Sequence, residues 1–126
     1  KKILFSSILY KFFKKPLIIS YDLMIQYFVQ KEEKEKHVYP SIIPNWDHTP
    51  RSGHKGSVFH NSTPELFSKH VKQLFQVIGN KKEEDKIVFL KSWNEWGEGN
   101  YMEPDIKFGK KYIEVLGALR KQVDNK

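Results

Sequence analysis

The chain of 126 residues contains no cysteine, so neither a disulfide framework nor a thiolate metal site is open to it. Arginine is almost as scarce, with Arg51 and Arg120 the only two. That scarcity bears on the formal charge of +7 and the isoelectric point near 9.5, which by themselves invite a polyanion partner. A nucleic-acid binder draws on arginine for bidentate phosphate and base contacts. Here lysines collect at the edges, as in Lys14-Lys15, Lys81-Lys82 and Lys110-Lys111, and the run from Lys31 to Lys36 mixes signs as a solvated face does. No nucleic-acid partner is expected.

Long apolar runs are missing too. Ile3 to Tyr10 is too short to span a bilayer and Leu17 to Val29 is broken by Asp22 and Gln26, so no transmembrane segment is expected. The cationic start lacks a small-residue cleavage site after its apolar run, which makes a cytoplasmic location the expectation. The chain opens on Lys1-Lys2 without methionine, as a processed or partial chain does. No Gly-rich phosphate loop and no His-Glu-x-x-His pattern occurs, and His37, His48, His54, His60 and His70 show no ligand spacing. Neither a metal nor a cofactor is expected. Asn61-Ser62-Thr63 is formally a glycosylation sequon.

What is present is a globular composition. Apolar residues make up 39% and aromatics 14%, a generous aromatic share at a mean hydropathy of -0.61. The first thirty residues read as a helix or helix pair interrupted at Pro16, with Tyr21, Met24, Ile25 and Phe28 at helical spacing. Val38 to Trp46 reads as a short extended strand despite Pro40 and Pro44, and residues 47–62 as a long loop. Thr63 as N-cap, Pro64 at the first helical position and an apolar stripe from Leu66 to Ile78 make the clearest helix. Ile87 to Leu90 reads as a strand buried on both faces, and Tyr112 to Val123 as a last helix. Helix, strand, helix, strand, helix is an α/β order with parallel strands, two or three β/α units in all. That falls short of the roughly 250 residues of a closed barrel.

Chemistry concentrates where the last strand ends. Lys91 to Pro104 crowds Glu95, Glu98 and Glu103 together with Trp93, Trp96 and Tyr101. Ligands of α/β proteins bind at the carboxyl ends of parallel strands. Two carboxylates three residues apart share a side in a turn, and such a pair suits glycosidic chemistry, where one acid protonates the leaving oxygen and another group assists attack at the anomeric carbon. Solvated or lysine-paired glutamates are the plainer alternative. Trp93, Trp96 and Tyr101 can stack on a sugar's C–H face or fill a core, and Asn94 can donate to and accept from hydroxyls. Trp46-Asp47-His48-Thr49-Pro50-Arg51 repeats the theme, with Asp47 and Arg51 open to a sugar or to each other.

Trp46 to Arg51, Asn61 to Phe67 and Trp93 to Asp105, in that order, resemble the C-terminal part of the WbsX-like proteins over about residues 16 to 120. Those proteins are related to glycoside hydrolase family 99, and members are described as glycosyltransferases or lipopolysaccharide biosynthesis proteins. The resemblance implies a β/α (TIM) barrel of which residues 1–126 would form a single partial domain, the C-terminal third. It also implies action on bacterial surface polysaccharide or mannose-type glycans, so the expected partner is an oligosaccharide or polysaccharide. The related hydrolases, retaining endo-α-mannosidases and mannanases, carry Asn-Glu-Trp-His-Glu-Gly. Their two glutamates match Glu95, the base that assists attack by the sugar's own 2-hydroxyl, and Glu98, the acid. Trp46, Asp47, Arg51, Trp93, Asn94, Trp96, Tyr101 and Glu103 are then the expected substrate-binding residues. Two positions depart from the pattern: Gly97 stands where the hydrolases have histidine, and His48 where the WbsX-like proteins usually have asparagine. A noncatalytic sugar-binding or scaffold remnant is the alternative. Strands without their barrel neighbours would leave apolar surface open, so the isolated chain is expected to self-associate.

Overall fold

The computed structural model describes residues 14–124. The expected helix or helix pair interrupted at Pro16 is corrected over Leu17–Ser20 and borne out over Tyr21–Phe28, and its part before residue 14 lies outside the described residues. Leu17–Ser20 is a strand, β1, because Ile18 and Ile19 are β-branched and fit an extended pairing better than a helical turn. Helix α1, Tyr21–Phe28, follows at once and buries Tyr21 and Ile25, one turn apart. The Tyr21 hydroxyl donates to the carbonyl of Ile43, tying α1 to the next extended segment.

That segment contains β2, Ser41–Ile42. The prolines do no harm because neither is called on to donate: Pro40 takes part through its carbonyl, which accepts from Phe89 N–H, and Ile42 O accepts from Lys91 N–H, both at 2.9 Å. Residues 47–62 are not the loop the sequence suggested. They hold a one-turn helix α2, Thr49–Ser52, a 3₁₀ turn at Gly53–Lys55, and β3, Ser57–His60. Val58 and Phe59 carry the apolar content of β3, which runs parallel to β1 from the Leu17–Ser57 pair to the Ser20–His60 pair.

Helix α3, Pro64–Ile78, forms as expected. The Thr63 side chain accepts from Leu66 N–H at 3.3 Å, and Pro64 fills a position where no backbone donor is missed. Its buried face is Phe67, His70, Val71, Leu74 and Ile78, at spacings of three and four. Against it lies α4, Lys111–Asp124, with the Tyr112 ring edge-on to Phe67 at 5.4 Å. Ile42, Met102 and Leu119 complete the core, each buried side chain contributing about 1.5–3 kcal/mol over exposure.

Strand β4, Phe89–Leu90, pairs parallel with β2, but it is not covered on both faces. Val88 and Leu90 pack on the core, whereas Ile87 and Phe89 are 46% and 56% exposed. The helices cover one face and nothing among the described residues covers the other. The chain is thus α/β with two parallel strand pairs, β1–β3 and β2–β4. An antiparallel hairpin of β5, Asn94–Glu95, and β6, Asn100–Tyr101, adds to them. The observed order is richer than the expected alternation of three helices and two strands.

Candidate active site

Two buried asparagines build the platform on which the acidic segment sits. Asn100 donates from Nδ2 to Asn45 O at 2.6 Å and to Lys91 O at 2.9 Å. It also accepts from Ser92 Oγ at 3.0 Å. Asn45 brackets the Tyr101 backbone, accepting from its N–H at 2.8 Å and donating to its carbonyl at 3.0 Å. Buried side-chain amides are retained when their hydrogen bonds are made, and here they join the end of the β2 segment to the β5–β6 hairpin. Sequence reasoning passed over both. Their signal was position alone: each is a polar residue beside an aromatic at a strand end.

The hairpin turns through a 3₁₀ segment, Trp96–Glu98, and closes at Gly99 with φ +49°. A side chain there is barred twice, by the left-handed backbone and because a Cβ would fall 2.7 Å from Asp47 Cβ. The close approach lets Asp47 N–H donate to Glu98 O at 2.9 Å. Trp46-Asp47 and the acidic turn therefore meet.

The side chains meet on Arg51. Its Nη2 lies 2.7 Å from Glu95 Oε1 and its Nη1 3.7 Å from Glu98 Oε1. His48 Nε2 stands 3.7 Å from the same Glu98 oxygen, and the His48 ring is stacked on Trp46 at 5.8 Å between centroids. Glu98 is the more enclosed of the pair, its side chain 18% exposed against 41% for Glu95. The Asp47–Arg51 pairing left open by the sequence is not made. Asp47 Oδ1 instead accepts from Thr49 N–H at 2.9 Å and Thr49 Oγ1 at 2.6 Å, fixing the start of α2. Arg51 thus reaches the two carboxylates because Asp47 holds the turn that carries it.

Trp96 and Tyr101 form a stacked pair, 3.7 Å between centroids and 18° from parallel, and Trp96 Nε1 donates to Glu103 Oε2 at 2.8 Å. Trp93 and Asn94 are exposed on the flank. Trp46 is held by a 3.1 Å hydrogen bond to Ser57 Oγ, with Lys91 Nζ 5.1 Å above its ring.

With this geometry in place, comparison with known proteins decides the family. The family model described as "Glycosyltransferase WbsX" matches residues 2–116. The chain belongs to the WbsX family. Two curated relatives are similar over 87 residues at 29% identity, each described as "Uncharacterized protein WxcX" and each from Xanthomonas campestris pv. campestris, strains B100 and ATCC 33913. The similarity covers 68% of this chain and 12% of theirs, so the chain spans about an eighth of the length of those relatives. No solved structure is a significant match.

The remaining histidines of this WbsX chain lie apart from the carboxylates. His70 is fully buried on α3, and burial pushes its pKa down to about 4. His37, His54 and His60 are exposed. Among the described residues no group of three or more His, Asp or Glu side chains is gathered as a metal site, and no helix is long and apolar enough to cross a membrane.

Proposed function

We propose that this chain is the C-terminal part of a β/α barrel that forms or cleaves glycosidic bonds in bacterial surface polysaccharide or mannose-type glycans, with Glu95 and Glu98 as its paired carboxylates. The observation that carries the reading is the convergence of both glutamates on one guanidinium, on a turn that also bears the Trp96–Tyr101 stack. One cation shared by two anions offsets their repulsion and holds both within a common reach. Glu95 then acts as the base toward the sugar's own 2-hydroxyl, and Glu98, the more enclosed carboxyl, exchanges a proton with the bridging oxygen. His48 gives Glu98 a basic neighbour on its other side. The flat Trp96–Tyr101 face suits the C–H face of a pyranose.

The family description supports a role in polysaccharide biosynthesis. The barrel reading draws on the parallel pairs β1–β3 and β2–β4, and on the position of the acidic segment directly after β4, where barrel enzymes carry their catalytic groups. Ile18, Ile87 and Phe89 are the faces that neighbouring strands would cover. In this reading residues 1–126 are one partial domain, and the subsites made by the other βα loops come from the remainder of the barrel.

The test uses the protein expressed from its complete reading frame. Glu98→Gln should slow natural glycosides far more than substrates with activated leaving groups, which need no proton. Equal losses on both would remove Glu98 from the acid role. Glu95→Gln combined with Glu98→Gln should abolish turnover and spare binding; full turnover in that double variant would leave the segment as a noncatalytic sugar-binding or scaffold remnant.

A further inference from the structure

His70 is a buried titratable group that the chemistry of the acidic turn does not use, yet two lines of contact join it to that turn. The first is made of hydrogen bonds. His70 Nε2 accepts from Ile43 N–H at 3.4 Å, and the carbonyl of the same Ile43 accepts from the Tyr21 hydroxyl. Past the buried Pro44, Asn45 brackets the Tyr101 backbone with its side chain and accepts at its own carbonyl from Asn100 Nδ2. Asp47 N–H then donates to Glu98 O. Residues 43–47 are therefore fixed at one end by His70 and Tyr21 and bonded at the other to the β5–β6 hairpin. The second line is aromatic: His70 to Phe28 at 5.0 Å, Phe28 to Phe59 at 5.4 Å, Phe59 to Trp46 at 6.2 Å and Trp46 to His48 at 5.8 Å, beside Glu98. Close-packed interiors transmit strain, so a displaced His70 ring disturbs the whole row.

A neutral imidazole accepts at Nε2, whereas an imidazolium carries a proton on both nitrogens and accepts at neither. Protonation sets one N–H against that of Ile43 and buries a charge, which is costly without an anionic partner. The titratable side chains on the elements packed against α3 are engaged elsewhere. The Tyr21 hydroxyl is taken by Ile43, and burial raises its pKa. Asp22 pairs with Lys69 at 2.7 Å, and Glu33, of the 3₁₀ turn Lys31–Lys34, accepts from Gln30 N–H at 2.9 Å. Tyr112 lies against Phe67. Burial alone lowers the His70 pKa from 6.5 to about 4. An opening that brings the ring to water is thus favoured on acidification, by about thirtyfold at pH 5 and roughly 150-fold at pH 4 relative to pH 7.5.

We propose that His70 is a positioning residue for the acidic turn, and that its protonation frees residues 43–47 and with them the β5–β6 hairpin, an acid-sensitive switch built into the fold. The opening is local and precedes loss of the helices, because α3 and α4 keep the packing of Phe67, Val71 and Leu74 with Tyr112 and Leu119. It holds whatever chemistry Glu95 and Glu98 perform.

Trp96 reports the state of the turn, since its ring stacks on Tyr101 at 3.7 Å. In the protein expressed from its complete reading frame and labelled with 5-fluorotryptophan, the Trp96 fluorine resonance is identified by its loss in Trp96→Phe. It is followed from pH 7.5 to 4 beside far-ultraviolet circular dichroism. In the wild type the resonance should move on acidification before the helical signal falls, and return when neutral pH is restored. His70→Gln offers an amide oxygen to Ile43 N–H and takes up no proton, so its Trp96 resonance should still be at the neutral position at pH 5. A wild-type resonance that moves only together with the helical signal overturns the proposal without recourse to the glutamine variant. So does a resonance that moves at the same pH in His70→Gln, because the carboxylates of the turn, common to both proteins, would then be the cause.

Discussion

His70 makes the stability of this chain depend on pH below neutrality. Its ring is fully buried between Phe28 at 5.0 Å and Phe67 at 6.4 Å, and Nε2 accepts from Ile43 N–H at 3.4 Å. Accepting at Nε2 puts the proton of the neutral ring on Nδ1, which has no partner among the described residues. Burial lowers the pKa from 6.5 to about 4, so the unfolded chain binds this proton first as the pH falls. A lowered folded-state pKa gives stability that is complete above 6.5 and is lost as the pH drops toward 4. From those two values the loss is about 2 kcal/mol at pH 5 and about 3 kcal/mol at pH 4.

Urea unfolding between pH 7.5 and 4 reads the loss directly, with His70→Leu as the control that cannot titrate. Leucine leaves Ile43 N–H without an acceptor, at a cost of about 1–3 kcal/mol, so the variant should start lower at pH 7.5. It should then fall less steeply than the wild type, and the two curves should approach one another by pH 4. Parallel curves would refute the reasoning, because carboxylate titration, common to both proteins, would then account for the whole dependence.

Arg51→Met should change stability by less than about 1 kcal/mol, since the ion pairs are half exposed, yet lower turnover roughly tenfold or more by freeing two carboxylates that it positions; steady-state kinetics beside thermal melts would check the split. Gly99→Ala should destabilise by about 1–3 kcal/mol, from the positive φ and the contact with Asp47 Cβ, measured by urea unfolding. The isolated 126-residue chain should self-associate or bind a hydrophobic dye through Ile18, Ile87, Phe89 and Trp93; a dye-silent monomer in light scattering would count against the partial-barrel reading.

How much of this was legible in the sequence depended on how local the cause was. Helix α3 could be read outright, because Thr63, Pro64 and the three-and-four spacing act within a few residues of themselves. Strand β3 could not, since Val58 and Phe59 give only two apolar positions and the strand exists through its pairing with β1, forty residues away in sequence. The same applies to Ile18-Ile19, whose apolar run fits a helix or a strand until a partner decides. At the site, the residue types of the acidic turn stood out from the sequence, and their meeting with Trp46-Asp47 followed from both lying at strand ends. The partner of Arg51 did not follow, because it depends on the Asp47–Thr49 hydrogen bonds and on a glycine turn, neither of which has a pattern of its own.

Gly97 links the departure from the hydrolase pattern to the geometry observed. A Cβ at this position would lie 3.2 Å from Arg51 Nε and 3.3 Å from both Arg51 Nη2 and Glu95 Oε1. Those approaches are tight for a methyl group, and a histidine, which the expected hydrolase pattern would put at this position, would extend its ring from the same place. The space Gly97 leaves is therefore the space through which Arg51 reaches Glu95. With a side chain at 97 the guanidinium would have to withdraw or turn, and Glu95 would gain an imidazole neighbour in place of a permanent cation. The absence of that side chain and the shared arginine are in this sense one feature: the pair Glu95–Glu98 is held here by a permanent cation, with His48 as the other basic side chain beside Glu98.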